Sequence, residues 1–187
     1  MKTTLISILF AGLLTLSACA PASTGIPAAN SSESTVKLAL TSPAFTDGDM
    51  IPEDYTCNGP DTSPALTWGE PPAGTKSFAL HMIDIDAHSG PFVHWVIFNI
   101  PAASRGLPAS VPTTAQLADG SLQGLNNAAM MGYAGPCPPE GTQRYVFTLY
   151  ALDITLNLST DANDDTMVKW MQGHILAQGQ LTGKFAK

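Results

Sequence analysis

The sequence predicts a mainly β protein, an antiparallel β-sandwich with a few short helices. Three observations lead there. The apolar segments are short and rich in branched and aromatic residues. They are punctuated by sixteen Gly and fifteen Pro, which favour turns over a helical bundle. Only one stretch carries apolar residues at helical spacing.

The elements follow in order. Val36-Lys37-Leu38-Ala39-Leu40 alternates and reads as a first strand. Ser77 to Ile85 is a short apolar run that follows Pro71-Pro72-Ala73-Gly74. Phe92 to Ile100 is a second such run, stopped by Pro101. Tyr145 to Asp153 is a third, dense in aromatic and branched residues. After the polar cluster Ser159-Thr160-Asp161, Met167, Val168, Trp170 and Met171 lie at helical spacing. Asp164 and Asp165 suit that helix's N-terminus, and Gly173 suits its end. His174 to Phe185 reads as a last strand.

The N-terminus reads as an address. Lys2 is followed by a mainly apolar run from Leu5 to Leu16, shorter than the ~20 residues a spanning helix needs. Leu16-Ser17-Ala18-Cys19 resembles the bacterial lipobox, which implies removal of residues 1–18 and a lipid on Cys19. The rival is ordinary signal cleavage at Ala18-Cys19-Ala20, which would leave Pro21 first. With Ala20 beside the lipidated cysteine, rather than Asp, the expected destination is the outer membrane, facing the periplasm of the cell envelope. Residues 19–34 are mostly Pro, Ala, Ser, Thr, Gly and Asn, and read as a lipidated, flexible tether. Residues 35–187 form the expected domain.

Charged residues are 12% of the chain, and eight Lys and Arg face fifteen Asp and Glu, for a net charge of −7. That excludes a nucleic-acid role, which needs clustered cations. No cofactor is expected.

Alternation along a strand puts Phe78, Leu80, Met82 and Asp84 on one face. On the next strand it puts His94, Val96, Phe98 and Ile100 on one face. If the two strands face a common pocket, Asp84 and His94 meet at its mouth. The plainer readings are a turn cap for Asp84 and a satisfied core side chain for His94. Gly132 to Gly141 (GYAGPCPPEG) is a loop of rigid Pro and permissive Gly whose amides could form an anion-binding nest.

At these residues the chain resembles a family. Asp84-x-Asp86-Ala87 followed by His94-Trp95-Val96 and Ile100-Pro101 looks like the signature of phosphatidylethanolamine-binding proteins. The loop from Gly132 to Pro139 with Arg144-Tyr145 is similar to their second signature. Cys57-Asn58-Gly59, Ser63 to Trp68 and Gly173 to Ala177 are similar to the family's bacterial branch. The resemblance covers about Leu38 to Phe185. It implies an antiparallel sandwich with a small anion pocket lined by Asp84, Asp86, His94, the Gly135-Pro136-Cys137 backbone and Tyr145. It also implies a non-enzymatic binding protein for a small anion or phosphorylated head group. A phosphate needs donors, namely imidazole N–H, loop amides and a tyrosine hydroxyl, while the carboxylates orient these or meet a ligand ammonium.

The chain departs from the family pattern. Ile85 and His88 replace two prolines, and Gln143 stands where a His usually precedes Arg-Tyr. Gln143 can donate but cannot become cationic, which implies weaker and less pH-dependent anion binding. Under the resemblance Cys57 and Cys137 flank pocket loops, and a disulfide between them is expected in an oxidising compartment; the alternative is two free thiols. Two other functions stay open: a protein-interaction module that inhibits a hydrolase or kinase, and a hydrolase using Cys137 or Ser89 with His94. No G-x-S-x-G elbow supports the latter. Asp84, Asp86, His88 and His94 match no metal motif, so no metal is expected. His81 and His174 read as structural.

Overall fold

A computed structural model of the chain describes residues 36–187. The signal peptide, the lipidated Cys19 and the tether expected from the sequence lie outside the described residues. Among the described residues, nine strands and one α-helix form three layers: a small sheet, a large sheet, and a helix on the large sheet's outer face.

The large sheet contains β1 (Val36–Lys37), β4 (Ser77–Asp84), β5 (Phe92–Pro101), β7 (Leu122–Gln123), β8 (Thr142–Leu152) and β9 (Ile175–Ala186). Their order is β1-β9-β8-β4-β5-β7, antiparallel except for β1 beside β9. The small sheet pairs β2 (Leu40–Thr41), β3 (Leu66–Trp68) and β6 (Gly106–Leu107), all antiparallel. The predicted sandwich is therefore present. The single strand expected over residues 36–40 is not. Val36 and Lys37 pair with Ala177 and Gln178, whereas Leu40 and Thr41 pair with Trp68 and Thr67, so the chain crosses from one sheet to the other.

The main core lies between the sheets. Leu66, Trp68 and Leu107 from the small sheet meet Phe78, Leu80, Met82, Trp95, Phe147 and Leu149 from the large one. The large sheet's outer face buries Ala79, Val96 and Phe98 under Met167 and Met171. With both faces covered, β4 and β5 read as nearly continuous apolar runs rather than alternating ones.

The helix α1 (Asp164–Met171) starts where its sequence provides a cap. Asn163 is extended, and its side-chain oxygen accepts from the Thr166 amide at 3.0 Å, so one open amide of the first turn is paired. Met167 and Met171, four apart, face the sheet, while Trp170 is about half exposed. Gly173 just beyond the helix has φ 78°, a left-handed turn that favours glycine. His81 fastens the helix to the sheet: Nδ1 lies 2.6 Å from the Asp164 carboxylate and Nε2 lies 3.3 Å from the Tyr150 hydroxyl. His174 pairs with Asp153 at 2.8 Å where the chain leaves the helix for β9. Both histidines hold the fold together.

β5 departs from regular alternation twice. Between Phe78↔Ile100 and Leu80↔Ile97 it carries one residue more than β4, and Asn99 there has φ 55°. Between Met82↔Trp95 and Ile83↔Val93 it carries another, and that residue is His94. The second bulge decides what the site looks like.

Candidate functional site

The expected sharing of one face by His94, Val96, Phe98 and Ile100 does not hold. Val96 and Phe98 face the helix, whereas Ile100 and Trp95 face the small sheet. Strict alternation would send His94 under the helix with Val96. The bulge instead turns its ring inward, 5.2 Å from the Tyr145 ring and 5.0 Å from the Phe92 ring. Asp84 and His94 do share a site, but a register shift brings them together rather than simple pairing.

Asp84 ends β4, opposite Tyr145 of β8 and Phe92 of β5. It is 3% exposed, and its Oδ1 accepts from the Asp86 amide at 2.9 Å. It therefore caps the turn and still faces the site, so the two readings of this residue hold together. Asp84, His94, Gly135, Cys137, Gln143 and Tyr145 all line one cavity of about 610 Å³ at the end of the large sheet.

Two expected members stand elsewhere. The Asp86 carboxylate turns away from this cavity to Arg144, which binds it through Nε at 2.7 Å, Nη2 at 2.6 Å and the main-chain amide at 3.0 Å. Those hydrogen bonds hold the Asp86 carboxyl below its ordinary pKa. The pair is self-satisfied, which is why neither residue serves the cavity. Pro136 is also absent from the lining; its carbonyl accepts from the Cys57 amide at 3.1 Å.

The loop amides behave differently from the expected anion nest. The Gly135 amide donates to Oδ1 of Asp61 at 2.6 Å, and the Ala134 amide donates to the His94 carbonyl at 3.1 Å. Asp61 thus occupies from inside the place expected of a bound anion. A side chain at position 135 would meet the Tyr55 carbonyl at 2.5 Å and Thr56 Cα at 2.8 Å, so only glycine fits. Asp61 itself has φ 57° and lines the cavity. It lies 74 positions from Gly135, and no local pattern in the sequence marks it.

The electrostatics follow from these contacts. A carbonyl can only accept, so the 2.8 Å contact between His94 Nδ1 and the Ala134 oxygen places the ring proton on Nδ1. Nε2 has no protein partner among the described residues. Burial lowers the His94 pKa, against the opposing effects of the Ala134 carbonyl and the Asp84 carboxylate. The imidazole is therefore neutral near pH 7, and Nε2 is a lone-pair acceptor. Burial, with the Asp84 carboxylate beside it, pushes the Tyr145 hydroxyl up, so it stays a donor. That hydroxyl reaches Gln143 Oε1 at 3.4 Å. Asp61, Asp84 and Glu140 line the cavity, and no Lys or Arg among the described residues does.

The Cys57 and Cys137 sulfurs stand at bonding distance, with Cα atoms 5.4 Å apart, and form a disulfide across 80 positions. Both cysteines line the cavity. No three His, Cys, Asp or Glu side chains converge in metal-binding geometry among the described residues.

The fold is thus an antiparallel sandwich with a cavity at one sheet end, walled by two loops, in which a few polar side chains stand among apolar ones. The family profile for phosphatidylethanolamine-binding protein matches residues 41–186, and the chain belongs to that family. Its relatives include a UPF0098 protein from Methanothermobacter thermautotrophicus, 46% identical over 80% of this chain and 99% of the relative. Another, from Aquifex aeolicus, is 41% identical over 80% of this chain and 89% of the relative. Among solved structures, a phosphatidylethanolamine-binding protein homolog from Chlamydia trachomatis superposes with a TM-score of 0.74 at 34% identity, covering 82% of this chain and 99% of its own. Escherichia coli YbcL, described as a member of the mammalian family, superposes with a TM-score of 0.75 at 28% identity, covering 80% and 98%.

Proposed function

We propose that the protein is a non-enzymatic binding module of the cell envelope whose cavity takes a small phosphorylated head group. The observation that carries this reading is the convergence of Asp84, His94 and Tyr145 on one cavity in a chain of this family. The cavity holds acceptors (Asp84, His94 Nε2) beside donors (the Tyr145 hydroxyl and the Gln143 amide), which suits a zwitterion better than a bare anion. Bonding of Cys137 to Cys57 removes the thiol a cysteine hydrolase would need, which favours binding over catalysis. Titration followed by ³¹P resonance, with phosphate and phosphoethanolamine at millimolar concentration, is the direct test. Saturable shifts that vanish in His94→Ala are expected. No shift with either compound sinks the reading.

The envelope location rests on the lipobox-like Leu16-Ser17-Ala18-Cys19. Two or three acyl chains on Cys19 would hold the domain firmly at a membrane, where a single chain is marginal. Intact-mass measurement of the membrane fraction is expected to give a lipidated chain starting at Cys19. A soluble chain starting at Pro21 overturns it.

A further inference from the structure

We propose that the end of the sandwich opposite the cavity, which carries Val36, Trp170, Lys37, Lys76 and Lys169, rests on an anionic phospholipid surface. The proposal rests on the proposed anchoring through Cys19. It adds which face meets the membrane, and that the cavity opens away from it.

Strand pairing fixes the two ends. Val36, the first described residue, pairs with Ala177 near the start of β9. Tyr145, which lines the cavity, pairs with Gly183 near the end of β9. About 20 Å of strand separates the two pairings. The chain arriving from Cys19 therefore enters at the end away from the cavity. Residues 20–35 can span at most about 60 Å, so the domain stays near any membrane that holds Cys19. Lys37 lies opposite Gln178 at this same end. The Lys76 amide donates to the Leu152 carbonyl at 2.8 Å, where β4 begins and β8 ends. The helix starts over the middle of β4, where Asp164 meets His81, and runs toward this end. His174, which follows it, accepts from the Asp153 amide just beyond β8. Lys169 and Trp170 stand in the helix's last turn.

The chemistry of this end suits a bilayer. Val36 is 54% exposed and Trp170 47%, whereas Trp68 and Trp95 are buried. An indole, with an apolar body and one N–H, fits the boundary between acyl chains and water. Lys37, Lys76 and Lys169 are exposed and have no carboxylate partner among the described residues. The carboxylates nearby are engaged or set back. Asp153 pairs with His174 and Glu70 with Arg105. Asp165 lies in the helix's first turn, and Asp119 accepts from the Ser121 amide beyond β7, the opposite edge of the sheet. A chain of net charge −7 thus turns unpaired cations toward its anchor, and Asp61, Asp84 and Glu140 toward the other end. Lysines beside a bilayer are drawn to anionic head groups. The anchor keeps this end close to lipid, which makes a membrane its occupant rather than a second protein.

The test uses the full chain purified from membranes and reconstituted into vesicles of phosphatidylethanolamine and phosphatidylglycerol with brominated acyl chains. Bromine quenches a tryptophan that touches the acyl region. The anchored chain is expected to lose emission relative to unbrominated vesicles, and Trp170→Phe to abolish that loss. Lys37→Glu combined with Lys76→Glu and Lys169→Glu changes exposed positions only; melting temperature checks the fold. That variant is expected to lose more than half of the quenching, as is the parent chain in high salt. A fluorophore on Met130→Cys at the cavity rim, whose thiol is free because Cys57 and Cys137 are bonded, should escape the bromine. Quenching at Met130→Cys without quenching of Trp170 seats the cavity end on the lipid and overturns the proposal. A chain that floats with the vesicles while Trp170 answers only to aqueous iodide overturns the membrane contact and leaves the anchor standing. A chain that does not float with the vesicles overturns both.

Discussion

Asp61 shows how one side chain can shape a loop far away in sequence. Its carboxylate pairs a buried amide that nothing else reaches, at 2.6 Å from Gly135. Asp61→Ala leaves that N–H without a partner and is expected to cost about 1–3 kcal/mol by urea denaturation. Asp61→Asn keeps an acceptor and tolerates the left-handed φ of 57°, so it should lose well under half as much. Equal losses in the two variants would show that the hydrogen bond is not the cause. His94 makes a different prediction. Burial lowers its folded pKa below the ordinary value of about 6.5. Its contribution to stability is therefore complete above that value and is lost as pH falls through the lowered folded value. Melting temperatures from pH 8 to pH 5 should decline less in His94→Gln than in the parent chain. Parallel profiles would remove His94 from the acid response.

At the scale of elements, what the sequence could show depended on whether the cause was local. The helix was legible because its signals adjoin it: the acidic first turn of Asp164 and Asp165, Met167 and Met171 at i and i+4, and Gly173 just beyond. Asn163→Ala is expected to destabilise the protein by about 1 kcal/mol in a denaturant titration, and Asn163→Asp by much less. A loss as large in the aspartate variant would mean that the cap is not what holds the first turn. β4 and β8 were legible as apolar runs, and Asp84 and Tyr145 fall opposite each other in their pairing. The face of His94 was not legible, because a bulge is a property of two strands together: β4 takes one step while β5 takes two. The split of residues 36–41 between two sheets was hidden for the same reason, since its partners lie at Trp68 and Ala177. Asp86 was misplaced in the cavity because the motif does not reveal that Arg144 claims its carboxylate.

For the whole molecule, one covalent tie joins two segments that wall the cavity. The disulfide joins the segment around Cys57 to the loop around Cys137, across 80 positions. The two segments are also stitched by Tyr133 donating to the Tyr55 carbonyl at 2.7 Å, by the Cys57 amide on Pro136, and by Asp61 on Gly135. Chain-entropy arguments give a closure of this length a stabilisation of about 4.5 kcal/mol, and measured disulfides more often give about 2–4. The noncovalent stitches survive reduction, so the reduced protein should stay folded but weaker. Urea unfolding with and without reductant is expected to show a loss within that range. Cys57→Ser with Cys137→Ser should reproduce it without reductant. The same variant should bind a head-group ligand more weakly, because both sulfurs wall the cavity. An unchanged midpoint with weakened binding would mean that the tie shapes the cavity without supporting the fold. An unchanged midpoint with unchanged binding would mean that the hydrogen bonds from Tyr133, Cys57 and Gly135 suffice for both.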